Sequence, residues 1–326
     1  MSLLGVLLYE FFNYLEKTLC AWKFLESGRV LPKKKTSRLL KHLQIYGRMI
    51  KFSHTVFALP FALAAVVLAQ RQHNITVQLL FWILVAMVTA RSAAMGFNRI
   101  ADAQLDGQNP RTAQRAIPAG MLSMKSAVLF VIGSSILFCF AAAMISRLCF
   151  WFSIPVLFIL FFYSYTKRFT TFSHFYLGFS ISLAPIGAWI AVTGTFDFSV
   201  TILSLALLTY IAGFDILYAC QDVEFDRKMG LFSIPASLGP ATALHISALL
   251  HCLSFLFFFL IFVVFDMGLI YLIAVVIMGY LLILEHKLVS PHDLRNVQTA
   301  FFHVNSAISV TLFLGILADE LLRRWL

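Results

Sequence analysis

Acidic residues are scarce in this 326-residue chain, and they are clustered. Only 15 Asp and Glu occur, and six of them fall into two short runs. The first run reads Asn98-Arg99-Ile100-Ala101-Asp102-Ala103-Gln104-Leu105-Asp106. The second extends from Asp215 through Tyr218, Asp222 and Glu224 to Asp226. Asn98, Asp102 and Asp106 step by four, as do Asp222 and Asp226. Residues i and i+4 share one face of a helix, so each run offers a ladder of oxygen ligands one turn apart. Like charges on adjacent turns repel, and a divalent cation relieves that repulsion. Hard oxygen donors suit Mg²⁺, which keeps several waters and is completed by substrate phosphates. The spacing therefore points to metal-assisted handling of a phosphate or diphosphate.

Basic residues stand where such a group needs them. Arg111 and Arg115 follow the first acids, and Lys228 follows the second. Between the runs lies Tyr163-Ser164-Tyr165-Thr166-Lys167-Arg168, with Tyr163 and Lys167 again four apart. Arg presents a planar fork to phosphate and Lys a compact charge. The plainer reading of each is a membrane-interface anchor that snorkels to water. Asp215 sits inside an apolar stretch, where an ionisable group is costly and functional by default. Each acidic run is followed by a similar segment, Ile117-Pro118-Ala119-Gly120 and Ile234-Pro235-Ala236-Ser237-Leu238-Gly239. This echo suggests two related helix–loop units facing one site.

The elements that position these residues are membrane helices. The chain is 60% hydrophobic and 12% charged, with a mean hydropathy of +0.87. Soluble domains run nearer 45–50% apolar and about 25% charged. That excludes a soluble enzyme, a disordered chain and a nucleic-acid-binding domain. Nine apolar stretches are long enough to span, at roughly 52–70, 77–97, 123–145, 148–166, 173–193, 199–220, 243–265, 267–285 and 299–318. Backbone in lipid must satisfy its own hydrogen bonds, so these are expected to be helices. The expected fold class is an all-α integral membrane protein with nine transmembrane helices.

The net charge of +10 fixes orientation rather than binding nucleic acid. Alternating the loops between two sides puts 21 of the 25 Lys and Arg on one side, with Arg91, Arg99 and the first ten basic residues among them. Only Arg71, Arg147, Arg323 and Arg324 fall on the other. Lys and Arg are retained in the cytoplasm. The N-terminus and both acidic runs are therefore expected on the cytoplasmic side of an inner (cytoplasmic) membrane.

Residues 1–44 read as an N-terminal extension, and 45–326 as the membrane domain. The extension carries Glu10, Lys17, Lys23 and Glu26, with Lys33, Lys34 and Lys35 behind its apolar part rather than in front. That is not the order of a signal peptide. It fits an amphipathic helix lying on the membrane surface or a dispensable extension. The five Cys lack any CxxC spacing and read as small apolar residues. The nine His form no metal-ligand pattern, and His245 and His251 are six apart, on different helix faces.

The run 91–120, RSAAMGFNRIADAQLDGQNPRTAQRAIPAG, resembles the first signature of the UbiA-type intramembrane aromatic prenyltransferases. Asn98, Asp102 and Asp106 match its Asn-x-x-x-Asp-x-x-x-Asp core. Asp222 and Asp226 match the second DxxxD signature, and Tyr163 and Lys167 the YxxxK element. The resemblance covers about 45–318. Arg99 departs from it, since many members carry an acid after the Asn.

The resemblance implies helices bundled around a central cavity, and transfer of a polyprenyl group from polyprenyl diphosphate to a hydroxylated aromatic acid. Mg²⁺ held by Asn98, Asp102, Asp106, Asp222 and Asp226 would grip the diphosphate, helped by Lys167, Arg111, Arg115 and Lys228. Tyr163, Tyr165 and Tyr218 are candidates to face an allylic cation, and Lys51 to meet an acceptor carboxylate. The partners implied are the two substrates and the lipid bilayer, with no nucleic acid and no obligatory protein partner.

The acceptor expected first is of the 4-hydroxybenzoate type, in ubiquinone synthesis. The segment MIKFSHTVFALPFALAAVVLA (49–69) looks more like a branch using 1,4-dihydroxy-6-naphthoate for menaquinone. A CDP-alcohol phosphatidyltransferase needs one continuous aspartate signature that is missing here. A transporter would place its ion site near the bilayer midplane. Both are remote alternatives.

Overall fold

The computed structural model describes residues 38–325 other than 72 and 292. The interfacial helix expected in the N-terminal extension falls mainly on residues outside this range. The described residues form helices and contain no strand. In chain order the helices are α1 (Arg38–Met49), α2 (Leu59–Ala69), α3 (Val77–Ala101), α4 (Ala103–Gln108), α5 (Met124–Ile145), α6 (Arg147–Thr166) and α7 (Ser173–Thr193). They continue with α8 (Phe198–Ala219), α9 (Val223–Met229), α10 (Ile234–Leu238), α11 (Pro240–Val264), α12 (Leu269–Leu288) and α13 (Asn305–Trp325).

Eight helices among the described residues are long and apolar enough to cross a membrane. The first expected span, 52–70, takes a different form: a 3-10 turn over Phe52–Phe57, then the 11-residue α2. Pro60 explains the break. It sits in the first turn of α2, where its missing N–H costs nothing, but it disfavours helix in the residue before it. At 1.5 Å per residue α2 is about 17 Å long, short of a hydrocarbon core of about 30 Å.

Sequence sets the helix starts. Thr76, Ser123 and Ser146 each accept a hydrogen bond from the backbone N–H three residues on, and Asp197 from that of Ser199. Such caps satisfy donors that the first turn leaves free. Ser146 alone separates α5 from α6, so the two run back to back.

α8 is the central post. Leu203, Ala206, Leu207, Tyr210 and Ile211 are fully buried, against Phe61 of α2 and Phe258 of α11. Removing such a ring costs about 3–5 kcal/mol. Two glycines permit the close approach: a Cβ at Gly178 would strike the Leu208 carbonyl, and one at Gly213 the His251 ring. α6 is the opposite case, with Leu148, Trp151, Phe152, Ile154 and Phe158 all exposed. These side chains suit lipid rather than water.

Both acidic runs lie at one end of the bundle, at the C-terminal ends of α3 and α8. At the other end Arg71 holds Glu320 and the Phe265 carbonyl, and Asp319 accepts from the Gly268 N–H at 2.7 Å. That end is tied shut by ion pairs, and the acidic end carries the site.

Candidate functional site

Asp102 ends α3 and Asp106 lies one turn on, in α4. The chain bends at Asp102 (φ −97°, ψ 6°), yet the Asp102 N–H still reaches the Asn98 carbonyl at 2.9 Å. The Asp106 N–H reaches that of Asp102 at 2.7 Å, so the four-residue ladder survives the bend. On α8, the 3-10 turn Cys220–Asp222 makes the corresponding bend, and Asp226 follows within α9. Asp106, Asp222 and Asp226 are all buried.

The two runs meet. Asn109, just past α4, donates to Asp222 Oδ1 at 3.1 Å. Arg111 grips the same carboxylate with two nitrogens, at 2.9 and 2.5 Å. Arg115 pairs with Asp106 at 2.5 Å, and Arg168 with Asp102 at 3.4 Å. Ser233 donates to Asp226 at 2.8 Å. Asp106 Oδ2 is buried with no partner.

Lys167 caps α6 in the middle of this ring. Burial works against its charge, but Asp226, Asp215, Asp222 and Asp102 outweigh it and hold its pKa above the usual lysine range. Asp102 is pushed up by burial and by Asp106, against the pull of Lys167 and Arg168. Among the described residues no three His, Cys, Asp or Glu converge tightly enough to cage a metal alone. The donors are instead spread around a basket of opposite charges.

Tyr218 joins the basket from α8. Arg111 donates to its hydroxyl at 3.0 Å and lies over its ring. Lys51 stands 5.8 Å from the centre of the same ring. Its backbone is left-handed (φ 47°, ψ 59°), a strained conformation for a residue with a side chain. Burial first, and then Arg99, Arg115, Arg111 and Arg91, pull its pKa down to about 7.

Beneath the basket an apolar cavity of about 560 Å³ runs into the bundle. Asn98 and Tyr163 are polar groups at its basket end, and Arg91 lines it about 10 Å further along α3. Its wall on α3 extends from Asn98 to Ile83, about 22 Å of helix at 1.5 Å per residue. Outside the basket, Arg111, Gln221, Asp293, Leu294 and Arg295 line an open depression.

The structure shows where the expected residues lie. Arg91 belongs to no loop: it lies inside α3, lines the cavity and has a buried Nε without a hydrogen-bond partner. It falls inside the expected span 77–97, so a count of loop charges by side does not apply to it. Asp215 is engaged by His174 Nδ1 at 2.7 Å, while His174 Nε2 accepts the Ile234 N–H at 3.4 Å. His174 thus holds one oxygen of Asp215, which also acts on Lys167 in the basket. Lys228 is exposed on α9, away from buried Asp226, and carries no site contact. Tyr165 is 40% exposed beneath Arg168, on the helix face opposite Tyr163. Asn98 is already engaged: its Oδ1 accepts from Arg99 at 3.1 Å and its Nδ2 donates to Asp102 at 2.9 Å. Arg99 also binds the Met49 carbonyl at 3.2 Å, tying α1 to the site. Asn109, His174 and Ser233 have no motif spacing, and their roles arise from contacts across 113, 41 and 7 residues.

Fold and site together define a membrane-embedded enzyme with a charged mouth over an apolar cavity. Residues 58–307 match the UbiA prenyltransferase family, and the chain belongs to it. It is similar to the 4-hydroxybenzoate octaprenyltransferase of Nitrosomonas europaea, at 28% identity over 74% of this chain and 82% of the relative. The protein of that name from Pseudomonas fluorescens is 30% identical, over 74% and 80%. A UbiA homolog from Aeropyrum pernix superposes with a TM-score of 0.75 at 30% identity, over 82% of this chain and 98% of that one. A UbiA homolog from Archaeoglobus fulgidus bound to GPP and Mg²⁺ shares the fold, with a TM-score of 0.62 at 18% identity, over 84% and 99%. The chain is therefore a membrane prenyltransferase.

Proposed function

We propose that this prenyltransferase transfers a polyprenyl group from its diphosphate to a ring carbon of a 4-hydroxybenzoate-type acid, in ubiquinone synthesis. The site would face the cytoplasm across an inner membrane. The supporting observation is the stacking of two chemistries: a basket of carboxylates and cations directly over an apolar cavity. The basket suits a metal-bound diphosphate, and the cavity suits a prenyl chain. The names of the relatives and the 20-to-4 charge asymmetry that remains without Arg91 support acceptor class and sidedness respectively.

The residues fit Mg²⁺. The donors are hard oxygens, and Asp106 Oδ2 is buried and unpaired. Asp102, Asp106, Asp222 and Asp226 would hold the ions, with Asn98 once Arg99 releases its oxygen. When bound, Mg²⁺ neutralises the diphosphate and stabilises charge on its leaving oxygen. Arg111 and Arg115 exchange their carboxylate partners for diphosphate oxygens. Lys167 faces the same oxygens as the C–O bond breaks and the electron pair goes to the diphosphate. Tyr163 and Tyr218 present ring faces to the allylic cation. The ring carbon of the acceptor then supplies the electrons of the new C–C bond, and the C–H bond at that carbon breaks, its proton passing to the released diphosphate as the ring regains aromaticity. The apolar walls keep water from capturing the cation. Arg91 and Lys51 are the cations free to hold the acceptor's carboxylate and hydroxyl.

The family assignment sets aside the phosphatidyltransferase and transporter readings. The test is a product assay with a prenyl diphosphate, Mg²⁺ and either 4-hydroxybenzoate or 1,4-dihydroxy-6-naphthoate. C-prenylated 4-hydroxybenzoate is expected. Product from the naphthoate alone, or none from either, would overturn the acceptor assignment.

A further inference from the structure

We propose that Gly187 determines which prenyl chain lengths the cavity admits: its missing side chain leaves the passage open for chains beyond about four isoprene units. The inference rests on the proposed function. Gly187 lies in the middle of α7 and lines the cavity. A glycine inside a helix is destabilising relative to alanine, so its presence asks for a reason. Packing gives none. Gly178 and Gly213 sit against neighbouring atoms, but a Cβ built on Gly187 meets no heavy atom within 4 Å. Backbone conformation gives none either, because the residue is helical. Gly187 is exposed and lines the cavity, so a side chain there would meet open space on that wall rather than a packing neighbour.

The depth of Gly187 sets the chain length. It stands 13 residues along α7 from His174, about 20 Å at 1.5 Å per residue. An extended prenyl chain advances about 5 Å per isoprene unit, from four staggered bonds of about 1.5 Å each. The tail therefore reaches Gly187 at about its fourth unit. On the same helix Ala184, Ala188 and Ala191 keep the wall low, while Leu148, Cys149 and Phe152 of α6 form the facing side. Beyond Gly187 the lumen ends among Ile145, Leu148 and Phe196, and Leu148 and Phe196 are 40% and 50% exposed. A long tail passes Gly187 and leaves into lipid there.

The test is equilibrium binding of geranyl (C10) and octaprenyl (C40) diphosphates, with Mg²⁺, to the full chain in lipid nanodiscs. Gly187→Phe is expected to weaken C40 binding at least tenfold and to leave C10 binding within twofold. Gly187→Ala is expected to leave both within twofold. C10 binding reports that the variant is folded. Unchanged C40 binding in Gly187→Phe, or equal weakening of both donors, would overturn the proposal. Wild-type protein that binds neither donor would instead overturn the functional reading on which the proposal rests.

Discussion

Two buried polar clusters occupy this bundle, and they differ in what holds their acids. In the basket, Asp102, Asp106 and Asp222 are each faced by an arginine, and Lys167 stands among them. The second cluster lies between α8, α11, α12 and α13. There Glu285 and Asn305 are wholly inaccessible, and Asn305 donates to Glu285 Oε1 at 2.9 Å. His251 meets His286 at 2.9 Å and faces the other Glu285 oxygen at 3.6 Å. The Asn305 amide also holds the Ala300 and Phe301 carbonyls, where the π-helical turn Thr299–Val304 disturbs the helix ladder. The first cluster adjoins a cavity and is built of partners that a charged ligand can replace. The second is sealed, and its partners are amides and imidazoles on neighbouring helices. Burial of an acid alone does not mark a site; exchangeable counter-charges beside an open cavity do.

The contrast can be broken by exchanging effects between the clusters. Asp102→Ala or Asp222→Ala should lower turnover by about three orders of magnitude while the protein stays inserted and folded. A kinetic assay paired with thermal unfolding in detergent checks this, and a variant that unfolds early would place structure ahead of chemistry there. Next in size is Arg91→Ala. Loss of a charge-assisted contact worth about 1.5–3 kcal/mol should raise the acceptor KM by about 10–150-fold and leave prenyl diphosphate binding unchanged. An equal loss for both substrates would argue against an acceptor role.

Lys51 sharpens the basket through pH. With its pKa pulled down to about 7, it is charged below that pH and neutral above it. Affinity for an anionic acceptor should therefore fall as pH rises through 7, by up to about tenfold. Lys51→Met should flatten that dependence. A KM–pH profile for the acceptor that is identical in both proteins would contradict the assignment. The smallest kinetic effect is expected in the sealed cluster. Asn305→Ala leaves a Glu285 oxygen unpaired, costing about 1–3 kcal/mol of stability with little change in kcat. A large loss of kcat at preserved stability would erase the distinction between the clusters.

The sequence made the basket legible because its acids are rare and stepped by one helical turn, a periodicity that survives the bends at Asp102 and Asp222. The long apolar helices were equally legible from composition. The rest depended on contacts between helices, which spacing does not encode. Nothing in the spacing shows that His174, 41 residues away, holds Asp215. Arg91 lay inside the expected span 77–97, but spacing does not show that it lines the cavity. Tyr165 and Lys228 lay near the motifs in sequence but point away from them. Arg99 broke the expected signature, and its place against Asn98 and the Met49 carbonyl shows a joint between α1 and the first ladder.

The meeting of the two carboxylate runs over one diphosphate can be measured directly as Mg²⁺-dependent binding of geranyl diphosphate to the wild type, Asp102→Asn, Asp222→Asn and the double variant. Each single variant should lose most of the Mg²⁺-dependent affinity, and the double should lose little more than either alone, because both runs grip one ligand. Additive losses, or undiminished Mg²⁺-dependent binding in either single variant, would contradict the shared site.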